Sequence, residues 1–127
     1  MQQFIDDNNV RFSITFGPIL VDEGNLVPIP NFYPVGEAGS HSARAALCQL
    51  DSLHYLIVLT CAEPPYTSGQ PLKRFAQRLQ EMGIEKAYNL DGGRSATLIM
   101  NDKLINYVYE RTISDILYFA TAISNGE

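Results

Sequence analysis

The sequence predicts an α+β fold: a mostly antiparallel β-sheet carrying one amphipathic helix. Three observations lead there. Short runs rich in β-branched and aromatic residues recur between Gly, Pro, Asn and Asp turns along most of the chain. Two of these runs, residues 44–50 and 55–61, flank the turn Asp51-Ser52-Leu53-His54 as a hairpin would. Against these many strands, only the stretch 71–82 has clear helical spacing, and one helix among strands is the α+β pattern.

Taken in order, residues 1–11 are polar and form an N-terminal arm, and residues 12–127 form the domain. Residues 12–21 read as a strand bent at Gly17-Pro18. The turn Asp22-Glu23-Gly24-Asn25 leads to a return strand at 26–29, which Pro28 and Pro30 confine to a sheet edge. A Gly-, Pro- and Ser-rich loop fills 31–42, and a second loop with Pro64-Pro65 fills 62–70. In the helix, Leu72, Phe75, Ala76, Leu79 and Met82 fall on one face, while Lys73, Arg74, Gln77, Arg78 and Glu81 fall on the other. Pro71 sits at its start and Gly83 at its end, where each residue suits the backbone. Further strands are expected at 84–90, 95–101 and 103–108. Residues 113–122 fit helix or strand by periodicity, with Ile, Leu, Tyr and Phe favouring strand.

The 127 residues, 46% hydrophobic and 18% charged, suit one globular domain. A formal charge of −5 argues against a general nucleic-acid binder, which must neutralise phosphates with Lys and Arg. No apolar run is long enough for a transmembrane segment, and the N-terminus lacks the layout of a signal peptide. In the expected hairpin Cys48 faces Ile57, which leaves Cys61 about 13 Å away along the partner strand. That is too far for a disulfide, so both cysteines are expected as buried free thiols. His41, His54 and the cysteines have no metal-ligand spacing, and neither a metal nor a cofactor is expected.

The chemistry concentrates in Asn89-Leu90-Asp91-Gly92-Gly93-Arg94-Ser95-Ala96-Thr97-Leu98. A carboxylate at a strand end, followed by two glycines and two hydroxyls, could serve a sugar or phosphate. The glycines allow a ligand close to the backbone, and Ser95 and Thr97 share a face if a strand begins there. A polar hairpin turn with a capping Asp91 is the alternative, since Asp-Gly is also a turn signal.

This segment resembles the signature of the phosphodiester glycosidase family, the domain of N-acetylglucosamine-1-phosphodiester alpha-N-acetylglucosaminidase. Phe16-Gly17-Pro18-Ile19-Leu20-Val21 and Ala43-Arg44-Ala45-Ala46-Leu47 resemble two of its strands, and Gly69, Leu72 and Ala76 resemble its helix start. The resemblance runs from about residue 16 to 122. It implies hydrolysis of a sugar-1-phosphodiester, of the N-acetylglucosamine type, at the anomeric bond. The setting would be carbohydrate metabolism such as exopolysaccharide processing, with longer members extracytoplasmic or secretory. The partner would be a sugar-phosphate small molecule or a glycan.

On that resemblance Asp91 is the base, nucleophile or electrostatic partner of the sugar, and Arg44 is the phosphate clamp. Gly92 and Gly93 would supply amides, Ser95 and Thr97 hydroxyls, and Arg94 a second phosphate contact or a plug. Glu63 and His41 are weaker candidates for acid–base work. The departures point to another function: a non-catalytic relative that binds a sugar phosphate or a protein. Thr60-Cys61 stands where the family often has Asp-Gly, Ala45 replaces a threonine, Cys48 replaces a glycine, and nothing before Phe16 resembles the family's upstream segment. Sheet edges left open would then favour a homo-oligomer.

Overall fold

The computed structural model describes residues 2–11, 13–29, 38–63, 65, 68–107 and 109–120. Its elements are α1 (Gln2–Asp7), β1 (Ile19–Asp22), β2 (Asn25–Leu26), β3 (Arg44–Asp51), β4 (His54–Thr60), α2 (Leu72–Glu81), β5 (Lys86–Leu90), β6 (Ile99–Met100) and β7 (Lys103–Leu104). β1 to β5 form one antiparallel sheet in the order β2-β1-β5-β3-β4, and β6 and β7 form a separate hairpin. The expected α+β class and mostly antiparallel sheet are both present.

α2 forms where the periodicity placed it. Its apolar stripe Leu72, Phe75, Ala76 and Leu79 is buried against Leu20, Val21, Ala46, Cys48 and Ala87 on one sheet face. Pro71 caps its start, and Gly83, with φ +77°, ends it in the left-handed region. Ile84 is not yet strand. It is buried beside the helix end, donating its N–H to Leu79 O, so β5 begins two residues later than expected.

The alternation of β3 and β5 sorts side chains between two faces. Ala46, Cys48, Ala87 and Asn89 lie towards α2. Leu47, Gln49, Lys86 and Tyr88 lie on the other face, where Ile19 and Tyr55 remain about half exposed. A depression of about 270 Å³ there is lined by Ile19, Leu47, Tyr55 and Tyr88 and does not include Asp91.

Several expected elements are shorter. The run 12–21 yields only β1, because Gly17 takes φ +77° and breaks the extended backbone before Ile19; Phe12 lies outside the described residues. The return strand stops at Leu26, although Val27 still donates to Leu20 O. The arm carries an exposed helix, α1, closed by Asn8 bonds to Phe4 O. Residues 95–101 are not one strand: Gly93–Ser95 forms a 3-10 turn, and β6 holds only two residues. β7 likewise covers two residues of the expected 103–108, with Val108 outside the described set. Residues 113–120 form no regular element, and 121–122 lie outside the description.

The cysteine geometry also shifts. A register slip between Gln49 and Asp51 pairs Cys48 with Leu56, not Ile57. Cys61 therefore lies five residues beyond Cys48's partner, and both thiols are free. Only Cys48 is buried; Cys61 is half-buried.

Two outcomes follow for stability. Phe75 is almost fully buried at the centre of the core. Phe75→Ala should cost about 3–5 kcal/mol in urea unfolding, from lost transfer energy and the cavity left behind. Burial also pushes the Cys48 thiol up to about 11. The fold keeps its proton more tightly than the unfolded chain does, so this contribution is complete below the ordinary thiol pKa and is lost as pH rises towards 11. Cys48→Ala should flatten that alkaline decline in thermal melts recorded between pH 8 and 11.

Candidate active site at the end of strand β5

The motif residues gather where β5 ends and β3 begins. The main chain Ser42-Ala43-Arg44 runs between two glycine-bearing segments. On one side, Ser42 and Gln70 exchange both backbone hydrogen bonds, and a Cβ on Gly69 would lie 2.2 Å from the Ser42 carbonyl. On the other side, Gly93 N–H donates to Ala43 O at 2.8 Å, and a Cβ on Gly92 would lie 2.5 Å from that oxygen. Any side chain at Gly69 or Gly92 would force backbones apart. Gly92 is thus explained by close packing rather than by left-handed backbone, for its φ is −120°.

This packing fixes Asp91 one residue beyond the strand. Its Oδ1 accepts from Gly92 N–H at 2.8 Å, and Oδ2 lies 4.0 Å from Arg111 Nη1. The carboxylate is half exposed, so solvent and ligand can reach it. Asn89, two residues earlier, is the buried brace. Its Nδ2 donates to Gly17 O at 2.8 Å, its N–H to Pro18 O, and its carbonyl accepts from Gly17 N–H. Asn89 Oδ1 is buried with no hydrogen-bond partner among the described residues.

Arg44 is built into this corner rather than projecting from it. Its Nε donates to Gln70 O at 3.0 Å and its Nη2 to Ser40 O at 2.7 Å, while its backbone N–H donates to Thr60 Oγ1. Burial lowers its pKa from the ordinary value, yet a guanidinium stays charged at any working pH. Thr60, which stands where the family often has an acid, thus serves as a hydroxyl acceptor for the β3 start.

The other candidates are spread more widely. Ser95 is half-buried and its Oγ accepts from Arg111 Nη1 at 2.8 Å. Arg94 is exposed and lies over the Tyr109 ring, 5.6 Å from its centroid. Thr97 is exposed beyond the 3-10 turn, off any strand, so it does not share a strand face with Ser95. The Gly92 and Gly93 amides are engaged by Asp91 Oδ1 and Ala43 O and do not point free into the site. His41 is exposed in the segment before β3, and Glu63 is half-buried past β4.

Two residues outside the sequence expectations hold the site's far side. Arg111 bridges Ser95 and Asp91 from the C-terminal segment, and no local pattern marks it. Asn106 clamps the β6–β7 hairpin base, accepting from Leu98 N–H and donating to Ala96 O, both at 2.7 Å. Among the described residues, no three His, Cys, Asp or Glu side chains cluster as metal ligands would, and no helix is long and apolar enough to cross a membrane.

The Gly92 contact gives a direct test. Gly92→Ala should destabilise the fold by about 1–3 kcal/mol, as overpacking does elsewhere. Gly39→Ala, where a Cβ meets nothing within 4 Å, should change the unfolding midpoint little.

A solved structure described as a hypothetical protein from Synechocystis is similar in fold, with a TM-score of 0.57 and 28% identity. The match covers 72% of this chain and only 17% of that one. No curated protein matches. The family model described as Phosphodiester glycosidase matches residues 1–120, so it takes in the N-terminal segment as well as the Asp91 motif. With the motif seated on the β3–β5 corner and nearly the whole sequence matched, the chain belongs to the phosphodiester glycosidase family.

Proposed function

We propose that this chain hydrolyses a sugar-1-phosphodiester, of the N-acetylglucosamine type, at the anomeric carbon–oxygen bond, with Asp91 as the working carboxylate. The observation that carries this reading is the state of Asp91. It is half exposed, yet held by the Gly92 amide on one oxygen and faced by a guanidinium on the other. A carboxylate so fixed suits an anomeric carbon that gains positive character as its bond to the phosphate oxygen breaks.

The balance is simple. Water supplies a hydroxyl to the anomeric carbon, and the phosphate monoester departs with the bridging oxygen and the bonding electron pair. The second water proton goes to solvent or to the monoester. The leaving group is already a stable anion, so fixed positive charge matters more than a strong general acid. Arg44 supplies charge at the buried corner beside Gly92, and Ser95 supplies a hydroxyl on the Asp91 side.

One observation favours a second reading, a non-catalytic relative that binds the same ligand. Where the family often has an acid, Thr60 instead accepts the Arg44 amide, so no second carboxylate enters the site from that position.

The two readings separate on Asp91→Asn, assayed against a panel of N-acetylglucosamine-1-phosphodiesters. If Asp91 works on the reacting sugar, turnover should fall by about 10²–10⁴-fold with the melting temperature nearly unchanged. Ligand binding with no turnover in the native chain would support the binding relative instead.

A further inference from the structure

The structure places a second guanidinium at the Asp91 site that the sequence motif does not contain. Arg111 Nη1 donates to Ser95 Oγ at 2.8 Å and stands 4.0 Å from Asp91 Oδ2, and its side chain is about half exposed. Arg44, the arginine that the family resemblance offers as phosphate clamp, has Nε and Nη2 committed to main-chain carbonyls and is buried. Among the described residues, Arg111 directs its Nη1 donor at Ser95, and a guanidinium has five donors.

The ion pair with Asp91 does not by itself account for this placement. At 4.0 Å and half exposed, it is a loose, screened contact. What the geometry does produce is a cation and a carboxylate side by side at one open edge. Arg94, held over Tyr109, adds a second exposed guanidinium on the neighbouring stretch. In a sugar-1-phosphodiester the anomeric carbon and the phosphorus are separated by a single bridging oxygen. A ligand lying across the pair would therefore bring its phosphate oxygens to Arg111 as the anomeric carbon meets Asp91.

We propose that Arg111, oriented by Ser95, is the residue that contacts the phosphate group of the ligand. Arg44 then acts as a buried structural and electrostatic support rather than as the direct clamp. Arg111 takes the phosphate as a planar fork, which fits two phosphate oxygens at once. The assignment deepens the hydrolytic reading above and rests on it for the identity of the ligand, but the anion contact can be measured without turnover.

The test is phosphate binding by the full chain, followed by NMR titration with inorganic phosphate and with N-acetylglucosamine-1-phosphate. Arg111→Gln should weaken both by about tenfold or more, the usual scale of a lost charge-assisted pair. Arg111→Lys should recover part of the charge but not the two-pronged contact, and Ser95→Ala should give a smaller loss by freeing the guanidinium to move. Arg74→Gln, on the outer face of α2, should leave binding unchanged. Thermal melts of each variant show whether the fold is intact. A purely structural Arg111 would lower the melting temperature while leaving phosphate affinity in the folded fraction as it was, and that result overturns the proposal. So does a native chain whose resonances near Ser95 and Arg111 do not respond to phosphate. A native chain that binds phosphate through Arg111 but cleaves no diester upholds the contact and removes the hydrolytic reading, so the two failures are distinct.

Discussion

Two glycines press on opposite sides of one short piece of main chain, and the candidate site is a consequence of that contact. Gly69 meets Ser42 and Gly92 meets Ala43 at distances that leave no room for a Cβ. The hydrogen bonds Gln70–Ser42 and Gly93–Ala43 lock both approaches. Because of them, the loop before α2 and the loop after β5 converge on the first residue of β3, which is Arg44. The arginine's guanidinium then ties the two loop carbonyls Ser40 O and Gln70 O together from inside the corner. Asp91 sits one residue from this clasp, so its position is set by backbone packing rather than by a flexible loop.

The sheet and helix back this corner from the core side. β5 lies between β1 and β3, and its last buried residue, Asn89, bonds both backbone groups and its side-chain amide to the Gly17-Pro18 bend. α2 covers the face carrying Ala46, Cys48 and Ala87, so the strands that deliver Arg44 and Asp91 are backed by the main core. A site carried on strand ends against such a core keeps its geometry better than one carried on loops alone.

Much of this was legible in the sequence, and the rest was hidden for physical reasons. Local rules identified α2 from its stripe and caps, the β3–β4 hairpin from its turn, and the Asp91 motif as a strand end, because each depends on near neighbours. β-favouring residues at 95–101 and 113–122 suggest more strand than the described residues form there; β propensity reports a pleated surface only when something is there to pair with. The paired glycines suggest room for a ligand, whereas Gly92 makes room for Ala43. Arg111 and Asn106 could not be found at all, since their partners Ser95 and Ala96 are sixteen and ten residues away and no periodicity links them. The one-residue slip in β3–β4 likewise came from a bulge that sequence spacing does not reveal.

On the proposed function, chemistry at Asp91 occurs at the sugar carbon and not at phosphorus. Hydrolysis of an N-acetylglucosamine-1-phosphodiester in oxygen-18 water, with both products read by mass spectrometry, tests it most directly. Attack at the anomeric carbon places the heavy oxygen in the released sugar and none newly in the phosphate monoester. Heavy oxygen in the phosphate would show cleavage of the phosphorus–oxygen bond and would contradict the assignment of Asp91 to the anomeric centre.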